Sequence, residues 1–306
     1  MLATAKSKFS CLKNELNVIV TGASGFIGKQ VVLGLLKKGY KVYGVSRKLV
    51  GPYKYNNLSW VSWNNLTSSI PSDIDIYAVI NLATTYGHNN ESWAEILESN
   101  TTLPLELFKY AIALGAKKII NTDSFFGKPI FNYSHLKHYT KSKKKLVDLT
   151  KELTTQKKVT FVNMRLEHVY GANDGPNKFV SKLIRDFHYS KNRIDLTDGT
   201  QRRDFIYIDD VVSAFLIVVN YKFNEGFFEF EVGTGSSIEL KNFCKELANV
   251  FNFSQCALNF GAIDQRPNEI MDSYADSSGL NALGWAPAYN LINSLLDLKK
   301  KQTVQE

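Results

Sequence analysis

The chain has 306 residues, 44% of them apolar and 12% aromatic. That is enough for a large packed core and excludes a disordered or collagen-like chain. Lysine and arginine number 37 against 29 acids, a net charge of +8. Much of the excess falls at Lys137, Lys141, Lys143, Lys144, Lys145, Lys151, Lys157 and Lys158. No zinc-finger, homeodomain or RNA-binding signature accompanies it, so a solvated helix face is expected and nucleic-acid binding is not. Cys11, Cys244 and Cys256 have neither metal-ligand nor disulfide-framework spacing, which predicts free thiols, no metal and a reducing, cytoplasmic setting. Lys6, Lys8, Lys13 and Glu15 precede the first apolar run, unlike a signal peptide. No apolar run approaches the length of about eighteen residues that a spanning helix needs, so no membrane association is expected.

In chain order, Leu16 to Thr21 reads as a buried strand and Phe26 to Lys38 as an amphipathic helix closed by Gly39. Strands are predicted at Tyr40 to Val45, residues 73–82, Lys117 to Asn121 and Val159 to Leu166. Between them fall helices from about Trp93 to Leu114, with Pro104 able to kink or divide it, and from Lys137 to Thr154. This alternation argues for a parallel sheet covered by helices on both faces. Beyond Tyr170 the pattern loosens. A helix is expected over Lys178 to His188, then a turn, short strand and helix in DGTQRRDFIYIDDVVSAFLIVVNY, where Asp209 or Asp210 could cap the helix. A strand at Phe227 to Val232, a helix at Ile238 to Val250 and a closing helix complete the reading.

Gly22-Ala23-Ser24-Gly25-Phe26-Ile27-Gly28 sits directly between the first strand and helix, the context that gives a glycine trio meaning. The first glycine permits the turn, the second lets a pyrophosphate approach and the third allows close helix–sheet packing, with free helix amides facing the phosphates. The second strand ends in Ser46-Arg47-Lys48, with no acid to hold a ribose diol. Arg47 could pair with a 2'-phosphate and Ser46 could add a hydrogen bond, favouring NADPH over NADH or NAD. Both basic residues could instead be solvated.

Tyr139 and Lys143 lie one helical turn apart on one face. An ammonium beside the phenol would draw its pKa down toward the working range, and the lysine could also hold a ribose. Thr122 follows the strand ending at Asn121 and offers a hydroxyl to the same substrate oxygen. The fold class is therefore α/β, a Rossmann-type doubly wound parallel sheet with a smaller C-terminal substrate lobe. Residues 14–167 form the dinucleotide-binding domain and 168–306 mainly the lobe, with the segment near 205–220 able to return to the main domain.

At this point the chain resembles the extended short-chain dehydrogenase/reductase superfamily, in its nucleotide-sugar epimerase, dehydratase and reductase branch. TGASGFIG at 21–28, INLAT at 80–84, Asn100, NTDSFFG at 121–127 and YTKSK at 139–143 carry the likeness. RLEHVYG at 165–171, GTQRRDFIYIDDV at 199–211, FEVGTG at 230–235, RPNEIMDSYADSS at 266–278 and LGWAP at 283–287 extend it along nearly the whole chain. The resemblance implies a catalytic trio of Thr122, Tyr139 and Lys143. It implies cofactor contacts from Gly22, Gly25, Phe26, Ile27, Gly28, Leu82, Ala83, Tyr139 and Lys143, and a structural role for Asn100. Thr84, Asp123, Ser124 and His168 fall at the substrate, and Arg203 and Arg266 match arginines that clamp a nucleotide diphosphate.

Alternatives stand beside some of these. Arg203 could pair with Asp204, Asp209 or Asp210, and Arg266 could be a surface residue beside Pro267. His168 could donate to a substrate oxygen or satisfy a buried loop carbonyl. His135 and His138 lie close to Tyr139, and His135 could contact substrate.

Dehydratases of this branch carry adjacent Asp and Glu after the threonine. Here Asp123 is followed by Ser124, which cannot abstract a proton as a carboxylate could, and Phe125-Phe126 widens an apolar wall. The 121–143 stretch most resembles the CDP-abequose synthase-like group of nucleotide-sugar 4-ketoreductases. That implies NADPH-dependent reduction of a CDP-linked deoxyhexulose for O-antigen assembly, though GDP- and dTDP-sugar 4-reductases share the landmarks. A nucleotide-sugar epimerase with tightly held NAD is the alternative. A non-catalytic dinucleotide-binding protein is a further one, and its expected mark, a broken Tyr–Lys pair, is not seen. The resemblance also suggests a homodimer through the helices near 93–114 and 137–154, where Leu103, Leu107, Leu146 and Leu149 could serve that interface or the core.

Overall fold

The computed structural model describes residues 16–46, 53–88, 90–131, 136–189, 193–253 and 257–303. Arg47, Lys48, His135, Cys11 and Cys256 lie outside these. The elements run β1 (Asn17–Thr21), α1 (Phe26–Lys37), β2 (Lys41–Ser46), β3 (Leu58–Ser62), α2 (Leu66–Ser69), β4 (Ile76–Asn81), α3 (Trp93–Leu97), α4 (Leu103–Ala113), β5 (Lys118–Ser124), α5 (Lys137–Lys157) and β6 (Thr160–Leu166). There follow β7 (His168–Tyr170), α6 (Phe179–Tyr189), β8 (Arg193–Leu196), β9 (Arg202–Arg203), β10 (Phe205–Tyr207), α7 (Ile208–Asn220), β11 (Phe227–Val232), β12 (Ile238–Glu239), α8 (Leu240–Val250), β13 (Ala257–Phe260), β14 (Asp272–Ser273), α9 (Ser278–Ala282) and α10 (Leu291–Thr303).

Seven parallel strands form one sheet in the order β3-β2-β1-β4-β5-β6-β11. The order reverses between β1 and β4, which opens a crevice at their carboxyl ends. Side chains alternate strictly between the two faces, as a period of two requires. Val18, Val20, Ile80, Ile120 and Val162 share a core with Val31 and Leu35 of α1 and with Ala214, Phe215 and Val218 of α7. Ile19, Val79, Ile119 and Phe161 face the other way, onto Leu107 and Phe108 of α4 and Leu146 and Val147 of α5. Of the leucines predicted for an interface or a core, Leu107 and Leu146 are therefore buried within this subunit, whereas Leu149 is half-buried.

Lys118 is buried at the start of β5, where its Nζ donates to the carbonyls of Val218, Val219 and Tyr221 at 2.9, 2.7 and 2.8 Å. A cation is favoured there by the negative end of the α7 dipole. It joins the C-terminus of α7 to the sheet. A second core gathers Tyr170, Leu183, Phe187, Phe205, Phe243 and Leu295 under β7, β10, α6, α8 and α10.

Several element boundaries differ from the sequence reading. β5 runs on through Thr122, Asp123 and Ser124, and β3 was not anticipated. The predicted 93–114 helix contains a π-helical segment at Glu98–Thr102, ending just before Pro104 in the first turn of α4. Proline cannot donate and its ring presses on the carbonyl one turn back, so a widened turn before it relieves the conflict. Neither Asp209 nor Asp210 caps α7, whose N-cap is Tyr207 with no side-chain hydrogen bond. Asp210 instead accepts from the backbone amides of Ala288 and Tyr289 at 2.8 and 3.2 Å, tying the C-terminal segment to the helix.

Candidate active site

The turn after β1 is packed so tightly that only glycine fits. Gly22 adopts φ +62°, and a Cβ there would lie 2.8 Å from the Ala83 nitrogen. A Cβ on Gly28 would lie 2.0 Å from the Gly22 carbonyl oxygen. α1 starts with no side-chain cap and no acid in its first turn. Its first amides are left for an anion, and the absence of a carboxylate there suits a phosphate. A groove of about 460 Å³ opens in front of them, bordered by Gly22, Gly25, Phe26, Ile27, Gly28, Ser46, Leu82, Ala83 and Thr84. These features fit a dinucleotide's diphosphate. Ser46 is buried at the end of β2, which carries no carboxylate.

A polar ladder sets the strand ends around this groove. Thr21 Oγ1 donates to Asn81 Oδ1 at 2.7 Å and accepts the amides of Leu82 and Ala83, each at 3.1 Å. Asn81 Nδ2 donates to Asn121 Oδ1 (2.9 Å), Asn121 Nδ2 to Asn163 Oδ1 (2.8 Å), and Asn163 Nδ2 to Glu229 Oε2 (2.9 Å) and Asp123 Oδ2 (3.2 Å). The rungs Thr21–Asn81, Asn81–Asn121, Asn121–Asn163 and Asn163–Glu229 join residues in direct register across β1, β4, β5, β6 and β11, whereas Asp123 lies two residues beyond that register. The three asparagine amides of the ladder are thereby paired, as a low-dielectric interior demands. Asparagine following an apolar pair in VIN, IIN and FVN was the sequence signal for this ladder, and it was missed. Asn100, in the π-helical segment, bonds both backbone groups of Thr85 at 2.7 and 2.8 Å and the Ser142 hydroxyl at 3.0 Å, joining the loop after β4 to α5.

Tyr139 and Lys143 project from α5 toward β5, both buried. Lys143 Nζ donates to the Thr122 carbonyl at 2.8 Å and lies 6.0 Å from the Tyr139 ring centroid. The Tyr139 ring stacks on Tyr86, centroids 4.9 Å apart and planes within 19°. Burial, Tyr86 and the Asp123 carboxylate push the Tyr139 phenol well above its ordinary range, and hydrogen bonds from Ser124 and Thr84 only partly oppose this. The expected lowering by Lys143 is thus not what this site does: the ammonium is held on the Thr122 carbonyl, and desolvation wins. Lys143 is itself brought down to about 8, chiefly by burial, with Asp123 pulling upward. Thr122 Oγ1 is buried and has no hydrogen-bond partner among the described residues.

Asp123 borders the substrate-side cavity, but its carboxylate is engaged by the Ser124 amide (2.8 Å), Asn163 (3.2 Å) and Arg165 (3.6 Å). That cavity, about 500 Å³, lies between the strand ends and the second core and is bordered by Thr84, Thr122, Asp123, Ser124, Tyr139, Lys143, His168 and Arg266. Phe125, Phe126 and Leu136 supply an apolar wall. His168 packs against Phe125 and Phe205, and its Nδ1 is buried without a partner among the described residues. Burial, Arg203 and Lys178 lower it to about 3, so the imidazole is neutral at physiological pH.

Arg203 does not border the cavity. It is buried in an ion pair with Glu269 (2.5 Å) and donates to the Arg202 carbonyl, so its acidic partner is none of the three weighed from the sequence. Asp204 beside it is fully buried and accepts from Thr234 N, Thr234 Oγ1, Gly235 N and Ala275 N at 2.7–3.2 Å. His138 contacts Trp93 and is not among the residues bordering the cavity. Tyr86, Lys178 and Lys182 do border it and were not foreseen. A lysine directly before α6 opposes the helix dipole, and that conflict was the available signal for Lys178.

A switch-point groove with a glycine-packed, uncapped helix start defines a dinucleotide-binding α/β protein. The NAD dependent epimerase/dehydratase family model matches residues 18–233, and the chain belongs to that family of NAD(P)-dependent enzymes. A CDP-abequose synthase from Salmonella typhimurium is 39% identical over 291 residues, covering 93% of this chain and 97% of the relative. A dTDP-4-dehydro-6-deoxyglucose reductase from Escherichia coli is 26% identical, covering 92% and 96%. The solved structure of MoeE5 with UDP-glucuronic acid and NAD superposes with a TM-score of 0.80 at 24% identity over 95% of this chain and all of that one, a likeness of fold. Among the described residues no helix is long and apolar enough to cross a membrane.

Proposed function

We propose that the protein is an NADPH-dependent reductase of a nucleotide-linked 4-keto-deoxyhexulose, CDP-linked, serving O-antigen sugar synthesis in the cytoplasm as a homodimer. The observation that carries the reading is the phenol of Tyr139, kept protonated by burial and bordering a substrate-sized cavity one turn from Lys143. A reductase needs a proton donor there, and a phenol that is protonated at neutral pH is one. The 39% identity to a CDP-abequose synthase supports the CDP-linked sugar. Ser46 and the absence of an acid at the end of β2 support NADPH. The Ser124 substitution supports reduction over dehydration. Segments after residue 167 supply the substrate lobe in this reading.

When bound, the reduced dinucleotide supplies the hydride. Tyr139 gives its proton to the carbonyl oxygen as that oxygen gains charge, and the Lys143 ammonium, one turn away, holds the nicotinamide ribose. The unpartnered Thr122 hydroxyl is a donor for the same oxygen. Gly22 to Gly28, with Leu82 and Ala83, hold the dinucleotide. Thr84, Ser124, His168 and Arg266 contact the sugar nucleotide, and Arg203 positions that wall through Glu269.

Mixing the protein with NADPH and CDP-, GDP-, dTDP- and UDP-linked 4-keto sugars tests this, with stoichiometric NADPH consumption expected for the CDP sugar. Configuration change without net consumption would instead indicate an epimerase. The pH profile provides a further check. Lys143 is charged below its pKa of about 8, and Tyr139 stays protonated beyond that, so turnover is expected to fall as pH rises through about 8. Asp123→Asn removes a charge that favours the ammonium, so the falling limb should move to lower pH. A limb that stays put would contradict this role of Asp123.

A further inference from the structure

The loop between β7 and α6 reaches over both cavities. Asp174 and Lys178 border the dinucleotide groove and the substrate cavity alike, and from the sheet side Tyr86 does the same. Lys178 Nζ lies 3.9 Å from the centroid of the Tyr86 ring, a close cation–π contact. That ring is stacked on Tyr139 at 4.9 Å and on His88 at 5.5 Å. Tyr86 belongs to the irregular segment after β4, held at Thr85 by Asn100. A lysine on the lobe side, a tyrosine on the sheet side and the phenol of Tyr139 therefore form one continuous contact across the mouth where the two cavities meet.

We propose that Lys178 and Tyr86 form a latch that closes the lobe loop over the dinucleotide groove and positions the ring of Tyr139. Tyr86 acts through Tyr139, as its stacking support. Lys178 acts through Tyr86, as the cation that keeps the ring in place. A bound dinucleotide leaves the groove only after this contact opens. The inference rests on dinucleotide binding in the groove and not on which sugar is reduced. Lys178 is an exposed residue, so replacing it does not threaten the core.

The test is the release rate of the reduced nicotinamide dinucleotide, followed by its fluorescence after rapid mixing with excess oxidised dinucleotide and no sugar present. Lys178→Met and Tyr86→Leu are each expected to release it about fivefold faster, the scale of a partly exposed cation–π contact. Lys178→Arg and Tyr86→Phe keep the cation and the ring and should release at the wild-type rate. The double variant Lys178→Met/Tyr86→Leu should be no faster than either single one, because the two share one contact. A wild-type rate in Lys178→Met, or a double variant whose effect is the product of the singles, would overturn the latch while leaving the reductase reading intact. A wild-type protein that does not hold the dinucleotide would overturn both.

Discussion

Replacing Tyr139 by phenylalanine is expected to lower turnover by about a hundred- to ten-thousandfold, the contribution of a positioned proton donor. That is about 3–5 kcal/mol of barrier. The substitution removes one oxygen and keeps the ring, so the stack on Tyr86 and the packing against Phe125, Leu136 and Ile270 remain. Dinucleotide affinity should stay close to wild type, because the groove in front of α1 is built by other residues. Loss of affinity in parallel with turnover would mean that Tyr139 acts by holding the cofactor, not by giving a proton. Ser124 and Thr84 would each lose a hydrogen-bond partner, but both face the cavity and can turn to water.

The largest expected loss of stability is at Asp204. Its carboxylate joins the turn after β11, at Thr234 and Gly235, to Ala275 beside β14, and among the described residues no cation pairs with it. Asp204→Ala leaves the buried amide of Ala275 and the part-buried bonds from Thr234 and Gly235 without their acceptor. Each such group costs about 1–3 kcal/mol, partly offset by no longer burying a charge. A net loss of about 2–3 kcal/mol is expected in denaturant unfolding, with an unchanged slope. Asp204→Asn can still accept through one oxygen and should lose less. A loss under about 1 kcal/mol for the alanine variant would mean that these amides find other partners. Because Asp204 adjoins Arg203, the variant should also loosen the Arg203–Glu269 pair at the edge of the lobe.

The main sheet was legible because β1, β2, β4 and β6 are largely buried apolar runs set between turn residues, and the glycine turn lies where a strand meets a helix. The Tyr–Lys pair and Thr122 were legible for the same reason, being local patterns in a readable frame. β3 was not, since LSWVS mixes serines into a short stretch whose pairing with β2 comes only from the fold. The pairs β9–β14 and β8–β13 join segments far apart in sequence, and no local periodicity announces them. The charge pairing of Arg203 was misjudged because three acids stand near it in sequence, while Glu269 arrives from a distant loop. The expected lowering of the Tyr139 pKa failed for a similar reason. Spacing along a helix places Lys143 nearby, but only the packed structure shows its ammonium taken by the Thr122 carbonyl and the phenol walled off from water. Tyr86 and Lys178 meet only across the cleft, so neither carries a motif.

Isotope transfer tests the central claim most directly. NADPH carrying deuterium at the transferable C4 position is incubated with the protein and a CDP-linked 4-keto-deoxyhexulose, and the sugar product is examined by mass spectrometry and NMR. The account predicts one deuterium at C4 of the sugar, one oxidised dinucleotide per product, and at least about a hundredfold less labelled product from the Tyr139→Phe variant on the same timescale. A product that changes configuration without acquiring deuterium, or that forms without oxidising the dinucleotide, would contradict it.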